Sequence, residues 1–234
     1  MTDLDTPVDE AGRDLDAAFV DAAVPPGPRA RGGGFGRPRF YSYDNLSTPA
    51  ADAACSCGHA AIATLLDFHD CAPLPPQRRT AREGQGMADD GRLHFPNETL
   101  VRMIFEAWPP TNWLGIRFVP RETIAGALRH AGLRVGEAWP PLLGSEDERF
   151  GIARRSLCDW IARTGLPVLV LVDTVPLLGQ GGLHWGLVHA FDDHGVKMAS
   201  WHRTFDFDWA TFAEAWHCRG WIFPNNFYAQ YVAR

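Results

Sequence analysis

The sequence predicts an α+β fold, with helices in its first half and an antiparallel sheet in its second. Two stretches carry this expectation. Residues 57–69 place Ile62, Leu65, Leu66 and His69 at helical spacing in an Ala/Leu-rich run. Residues 166–173 are instead a continuous aliphatic run, rich in β-branched valine and of strand length, which suits a central strand.

The other elements follow in order. Residues 70–95 are loop-like, with repeated proline and glycine. Residues 97–108 read as a helix with Asn97 as N-cap and Glu98 near the positive end of the dipole, stopped by Pro109-Pro110. Residues 121–131 form a helix ended by Gly132, and residues 150–163 one that ends at Gly165. After the strand at 166–173 comes a glycine-rich connection, Gly179–Gly182, which fits a mobile lid or a plain β-connection. Residues 184–191 and 196–201 read as strands joined by the turn Asp192-Asp193-His194-Gly195. A short helix over 207–216, with Asp208 at or near its N-cap, and a strand at 221–223 complete the reading.

Composition narrows the function. The 234 residues are 46% hydrophobic and 21% charged, enough for one sizeable core and a single folded domain. A net charge of −6 argues against nucleic-acid binding as the main role. No apolar run is long enough for a membrane span, and the first residues lack the basic and apolar regions of a signal peptide. Five cysteines, an odd number, fit reduced thiols better than a disulfide scaffold. The expected location is the cytoplasm, with signal-independent secretion left open. Residues 1–24 hold seven acids against Arg13 alone, so they account for the whole net charge. Pro/Gly-rich chain follows, and 1–38 reads as a flexible arm. Leu15, Ala18, Phe19 and Ala22 lie at helical spacing, so a short helix docking on a protein partner is the alternative there. The folded body is expected over 39–234, starting near Arg39-Phe40-Tyr41.

Two residues stand out chemically. Cys57 precedes Gly58 at the head of the first helix, where the dipole and unpaired N–H groups would lower its pKa and serve an oxyanion. Gly58 would let a substrate approach the backbone. A thiol nucleophile needs a base, and His184 opens a strand 127 residues downstream. Cys55 is the alternative thiol. Cys55, Cys57 and His59 lack the second ligand pair of a zinc site, so neither a metal nor an organic cofactor is expected. His189 has opposite strand parity to His184, and His194 sits in the turn. Trp185 either covers the imidazole or fills the core. Cys71, Cys158 and Cys218 read as structural thiols.

Cys57-Gly58-x-Ala60-Ala61 opening a helix resembles the nucleophile motif of papain-like cysteine peptidases, in the group that processes double-glycine bacteriocin precursors. The strand at 166–173, then His184-Trp185-Gly186-Leu187-Val188, the turn, and the later aromatics Trp209, Phe212 and Trp216 are similar to that group in order and length. The resemblance covers roughly residues 40–225. It implies a papain-like fold, a helical half packed on an antiparallel sheet, and a Cys57 thioester with His184 as general base. It also marks departures. The family's orienting Asp falls at Ser200, with His202 and Asp206 as further candidates. Its oxyanion Gln falls at Ala51, beside Asp52, with Asn45 the nearest amide side chain upstream. Gly58, His59, Trp185 and Asn45 are the expected substrate-binding residues. The expected partner is a peptide or acyl donor, delivered as an extended chain along the cleft between the two halves. Hydrolysis leads the readings. Acyl or peptidyl transfer by the same residues, a secreted effector protease with the arm as export segment, and a binding module without catalysis stand beside it.

Overall fold

The computed structural model describes residues 42–47, 49–72, 94–113, 115–140, 143–201, 203–218 and 227–234, with backbone alone at 94–98 and 113. The expectations for the arm at 1–38, the start of the body at 39–41, most of the loop at 70–95, His202 and the strand at 221–223 lie outside these residues.

The first half is mainly helical. A single turn, α1 (Ala50–Ala53), leads into α2 (Cys57–Phe68). Small alanines let neighbours approach α2 closely, and Gly58 through Leu66 are all buried. α3 (His94–Ala107) starts before the predicted N-cap, so Asn97 lies inside the helix. Pro96 is the reason such a start is tolerated: in a first turn its missing N–H has no carbonyl partner to lose. A two-stranded hairpin follows, β1 (Thr111–Trp113) with β2 (Ile116–Phe118), turning through Gly115 at φ 85°. α4 (Arg121–His130) ends before Gly132, which is left-handed at φ 84° as a helix stop requires. β3 (Arg134–Ala138) is a strand that the sequence reading missed.

The second half builds the sheet and its second layer of helices. α5 (Glu146–Thr164) begins at a capping box between Ser145 and Glu148, earlier than expected, and ends at left-handed Gly165. β4 (Val168–Asp173), the short helix α6 (Thr174–Leu178), β5 (Leu183–Phe191) and β6 (Gly195–Ser200) follow. The segment 203–208, partly read as a helix start, is β7 (Arg203–Asp208). Its alternating Thr204, Phe205, Asp206, Phe207 is a strand pattern. Asp208 then caps α7 (Trp209–His217), its carboxylate accepting the N–H of Thr211 at 2.9 Å. β8 (Ala229–Ala233) is the last strand.

The six-stranded sheet runs β3-β8-β4-β5-β6-β7, every neighbour antiparallel. One face carries Trp185, Leu187, Leu169 and Val232 and packs on α2, α3 and α4. The other carries Val168, Val170, Val172, Val188 and Met198 and packs on α5 and α7. The α+β expectation holds, with the helical first half on the sheet. The addition is a second helical layer, α5 and α7, over the reverse face. The end of the glycine-rich connection is tied to α6: Thr174 Oγ1 donates to the Gly182 carbonyl at 3.0 Å and accepts the Gly182 N–H at 2.9 Å.

One glycine sets a close contact within the helical first half. A Cβ on Gly58 would lie 2.7 Å from Cβ of Val119, the residue after the β1–β2 hairpin. Val119 thus fills the space that a side chain at residue 58 would take. A β-branched side chain has no rotamer that clears such an overlap. Gly58→Ala is expected to cost about 1–3 kcal/mol and to lower the thermal midpoint; an unchanged midpoint would mean the contact relaxes freely.

Candidate active site

Cys57 is the first residue of α2. Ser56 before it is buried and does not cap the helix with its side chain. Its hydroxyl donates to the Ala53 carbonyl at 3.2 Å and accepts the Leu46 N–H at 2.9 Å, tying the segment 42–46 to the head of the helix. The Thr64 hydroxyl accepts the Tyr43 N–H further along. The Asn45 side chain donates to the Ala53 carbonyl at 3.2 Å, which makes it part of this strap.

Cys57 as a residue is partly exposed. Burial by the surrounding protein pushes its thiol up, against the lowering pull of backbone N–H groups of Trp185, Gly58 and Cys57 itself. The sequence reading expected the helix start to depress this thiol. The structure reverses the sign, because desolvation outweighs the dipole of the first turn. Cys55, the alternative thiol, is buried; its Sγ donates to the Ala51 carbonyl at 3.2 Å, and burial raises it too.

The backbone N–H of Trp185 acts on the Cys57 thiol, which sets the head of α2 against β5. The β5–β6 ladder runs from Leu187 opposite Ala199 to Phe191 opposite Val196, so His184 and Trp185 lie beyond its end. α2 packs on β5 there, with the Cys57 sulfur by the Trp185 amide and therefore one residue along the chain from His184. His184 Nε2 and Ser200 Oγ are 2.6 Å apart across the hairpin. The ring of Trp201 stacks on the imidazole at 3.9 Å and 27°. Burial lowers His184 to about 3, with the charge of Asp44 pulling the other way. The imidazole is therefore neutral near pH 7, and so is the thiol.

Other expected residues fall elsewhere. His59 is fully enclosed, with Nε2 2.8 Å from the Trp108 carbonyl and its ring 4.7 Å from that of Phe105. It packs the helical half and offers no face to a substrate. The Trp185 side chain is buried in the first core, and its Nε1 donates to the Val119 carbonyl at 3.2 Å; Trp201 is the cover that the sequence reading gave to Trp185. Ala51 is exposed on α1, and Asp52 pairs with Arg117 at 3.0 Å. Asp206 is held by Lys197 at 2.9 Å on the outer strand. His189 is half-buried at the bulge in β5, with Lys197 and Asp206 acting on it. His194 is exposed in its turn, and Cys218 is buried.

Trp201, stacked on His184, is the residue missed. Trp201 adopts φ 46°, a left-handed conformation that costs a non-glycine residue roughly 1–2 kcal/mol. It bends the chain out of β6 and lays its ring on His184. Nothing in a single sequence announces that turn, since glycine or asparagine would be the usual signal.

The depressed imidazole has a measurable consequence. Its unfolded value is 6.5 and its folded value about 3, so the unfolded chain binds a proton first as pH falls. The stabilisation is complete above about pH 6.5 and is lost on acidification toward pH 3. His59 and His189 are lowered by burial as well and act in the same direction. The urea midpoint is expected to drop progressively from pH 7.5 to 4.5, and His184→Gln to make that drop shallower; an equal drop in both proteins would refute the assignment.

No family model matches the chain, and no curated protein matches it. Among solved structures, it is similar to a double glycine motif protease from an AMS/PCAT transporter in complex with the leader peptide. The identity is 11% over 87% of this chain and 99% of that one, with a TM-score of 0.41. It is also similar to the peptidase domain of Streptococcus ComA, a bifunctional ABC transporter involved in quorum sensing. That identity is 13% over 83% of this chain and 98% of that one, with a TM-score of 0.46. No described helix of the present chain is long and apolar enough to cross a membrane.

Proposed function

We propose that the chain is a papain-like cysteine peptidase or amide hydrolase, acting through a thioester on Cys57 with His184 as general base. The observation that carries this reading is the packing of α2, with Cys57 at its head, on the strand that bears His184, whose Nε2 lies 2.6 Å from Ser200 Oγ. With Nε2 engaged, Nδ1 is the nitrogen left for the thiol proton. The resting pair is neutral, so proton transfer accompanies attack rather than preceding it. The Cys57 S–H proton passes to His184 as sulfur bonds to the carbonyl carbon. The backbone N–H at Cys57 donates to the resulting oxyanion. His184 returns the proton to the leaving nitrogen as the C–N bond breaks, leaving the acyl group on sulfur. Water, deprotonated by His184, then hydrolyses the thioester and restores the thiol. Ser200 orients the imidazole without adding charge.

The substrate class is a peptide or another carbonyl acyl donor presented as an extended chain. Acyl transfer to an amine uses the same pair, and the enclosure of His184 beneath Trp201 favours it by limiting access of bulk water. Intact-mass analysis after mixing with a peptide thioester tests both readings. An acyl adduct on Cys57 that decays in buffer supports hydrolysis. One discharged only by added amine supports transfer. No adduct at any time would leave a non-catalytic binding module.

A further inference from the structure

The contacts that seat the head of α2 continue along a row of aromatic rings to the protein surface. Val119 packs on Gly58, the residue after Cys57, and its carbonyl accepts the Nε1 proton of Trp185 at 3.2 Å. The Trp185 ring meets that of Tyr228 at 6.0 Å, and Tyr228 meets Trp139 at 4.5 Å. The register explains this order, because Ala138, Ala229, Val170 and Gly186 lie abreast on β3, β8, β4 and β5. The row one step along therefore ends in Trp139 at the β3 edge, where the indole is 44% exposed.

Arg121 closes that row from the helical half. It is the first residue of α4 and follows Val119 by two positions. Its guanidinium lies over the Trp139 ring at 4.4 Å and over Tyr228 at 5.6 Å. Its carbonyl accepts an Nε2 proton of fully buried Gln230 at 3.0 Å, and the same nitrogen is 2.6 Å from the Tyr228 hydroxyl. Backbone and side chain of Arg121 are thus both held. Its Nε donates to Glu122 at 2.6 Å. Nη1 and Nη2 have no acceptor among the described residues, and the side chain is 40% exposed. The second acid nearby, Glu137, lies 3.9 Å from Arg129. A guanidinium with its Nε occupied and its plane set by a ring presents the two Nη groups as a fork, the geometry that matches a carboxylate.

We infer that Arg121 and Trp139 form a specificity subsite that takes a carboxylate of the peptide substrate, with the chain beside it lying against the exposed indole. This rests on the Cys57–His184 reading given above. Two residues of chain span at most about 7 Å from Val119 to Arg121, so the fork lies roughly three to five extended residues, at about 3.3 Å each, from the carbonyl that Cys57 attacks. The carboxylate is that of an Asp or Glu side chain, or of a chain terminus, at that distance.

Octapeptide amide pools with one position fixed as Glu or Gln and the rest randomised test the subsite, and mass spectrometry of the products reads where the fixed residue stands relative to the cut. Glu three to five residues from the cut is expected to raise kcat/KM about tenfold over Gln, through KM. Arg121→Gln is expected to bring the two pools to within about twofold of each other, and Arg121→Glu to favour a Lys pool instead. A pool with free carboxyl termini separates the two sources: a gain there, with none for internal Glu, assigns the chain terminus. The thermal midpoint should not move in Arg121→Gln, because Gln230 bonds the backbone carbonyl. Retention of the same pools by the Cys57→Ala protein reads the subsite without catalysis and is expected to show the same acid preference. Cleavage without that preference, or a preference that survives Arg121→Gln, overturns the subsite and leaves the Cys57–His184 reading standing. Acid-selective retention without cleavage by the wild type supports the subsite and refutes the catalytic reading. Neither cleavage nor selective retention refutes both.

Discussion

Replacing Cys57 by alanine is expected to reduce cleavage of a susceptible peptide by at least about a thousandfold, and His184→Ala to do the same. The two losses should not add. A thiol without its base and a base without its thiol disable one shared step, so the double variant should be no slower than either single one. Folding is expected to survive the first change, because Cys57 is partly exposed and alanine keeps the helix start. Ser200→Ala should cost much less, roughly tenfold to a hundredfold, since it removes one orienting hydrogen bond and no charge. The measurement is kcat/KM on a quenched fluorescent peptide pool, with circular dichroism as the folding control. Residual cleavage by Cys57→Ala at the wild-type rate would place the chemistry elsewhere or end the enzymatic reading.

The largest loss of stability is expected at Trp216. Its side chain is fully buried, with Nε1 donating to the Tyr228 carbonyl at 2.8 Å. The ring meets Phe212 at 5.3 Å and Phe227 at 5.8 Å. It pins α7 to the approach of β8. Trp216→Ala removes the ring and strands a buried carbonyl, a cost of about 3–5 kcal/mol. Against a total stability of roughly 5–15 kcal/mol, that is a large share. The thermal midpoint should fall by about 10 °C or more. Trp216→Phe retains most of the buried area and should recover more than half of the loss; if it recovers none, the hydrogen bond rather than packing governs the site.

What the sequence made legible follows from which signals are local. α2, β4, β5 and β6 announce themselves through periodicity or unbroken aliphatic runs. The 192–195 turn does so through Asp192, whose carboxylate accepts the N–H groups of His194 and Gly195. β3 and β8 pair with each other and are short and mixed in composition. Arg134-Val-Gly-Glu-Ala and Ala229-Gln-Tyr-Val-Ala have no strand signature of their own, and only the pairing makes them strands. The start of α5 was readable, since Ser145 and Glu148 are spaced as a capping box, but the reading began at the later apolar repeat. Motif and spacing singled out Cys57, His184 and Ser200 as candidates, and the structure places His184 Nε2 2.6 Å from Ser200 Oγ. The enclosure that raises the thiol and lowers the imidazole was not, because desolvation depends on neighbours from distant parts of the chain. Gly58 was expected to admit a substrate to the backbone; the structure adds that a Cβ there would meet Val119, a contact no local pattern announces.

The position of β8 bears on the order in which the molecule is built. It lies between β3 and β4, so residues 134–138 have no lateral route to the rest of the sheet until residues 229–233 arrive. On the ribosome, a nascent chain exposing only the first two hundred residues would hold α2 and the β4–β6 meander but leave β3 an unmated ribbon. A late segment therefore joins β3 to the sheet only after every strand of the β4–β6 meander is present.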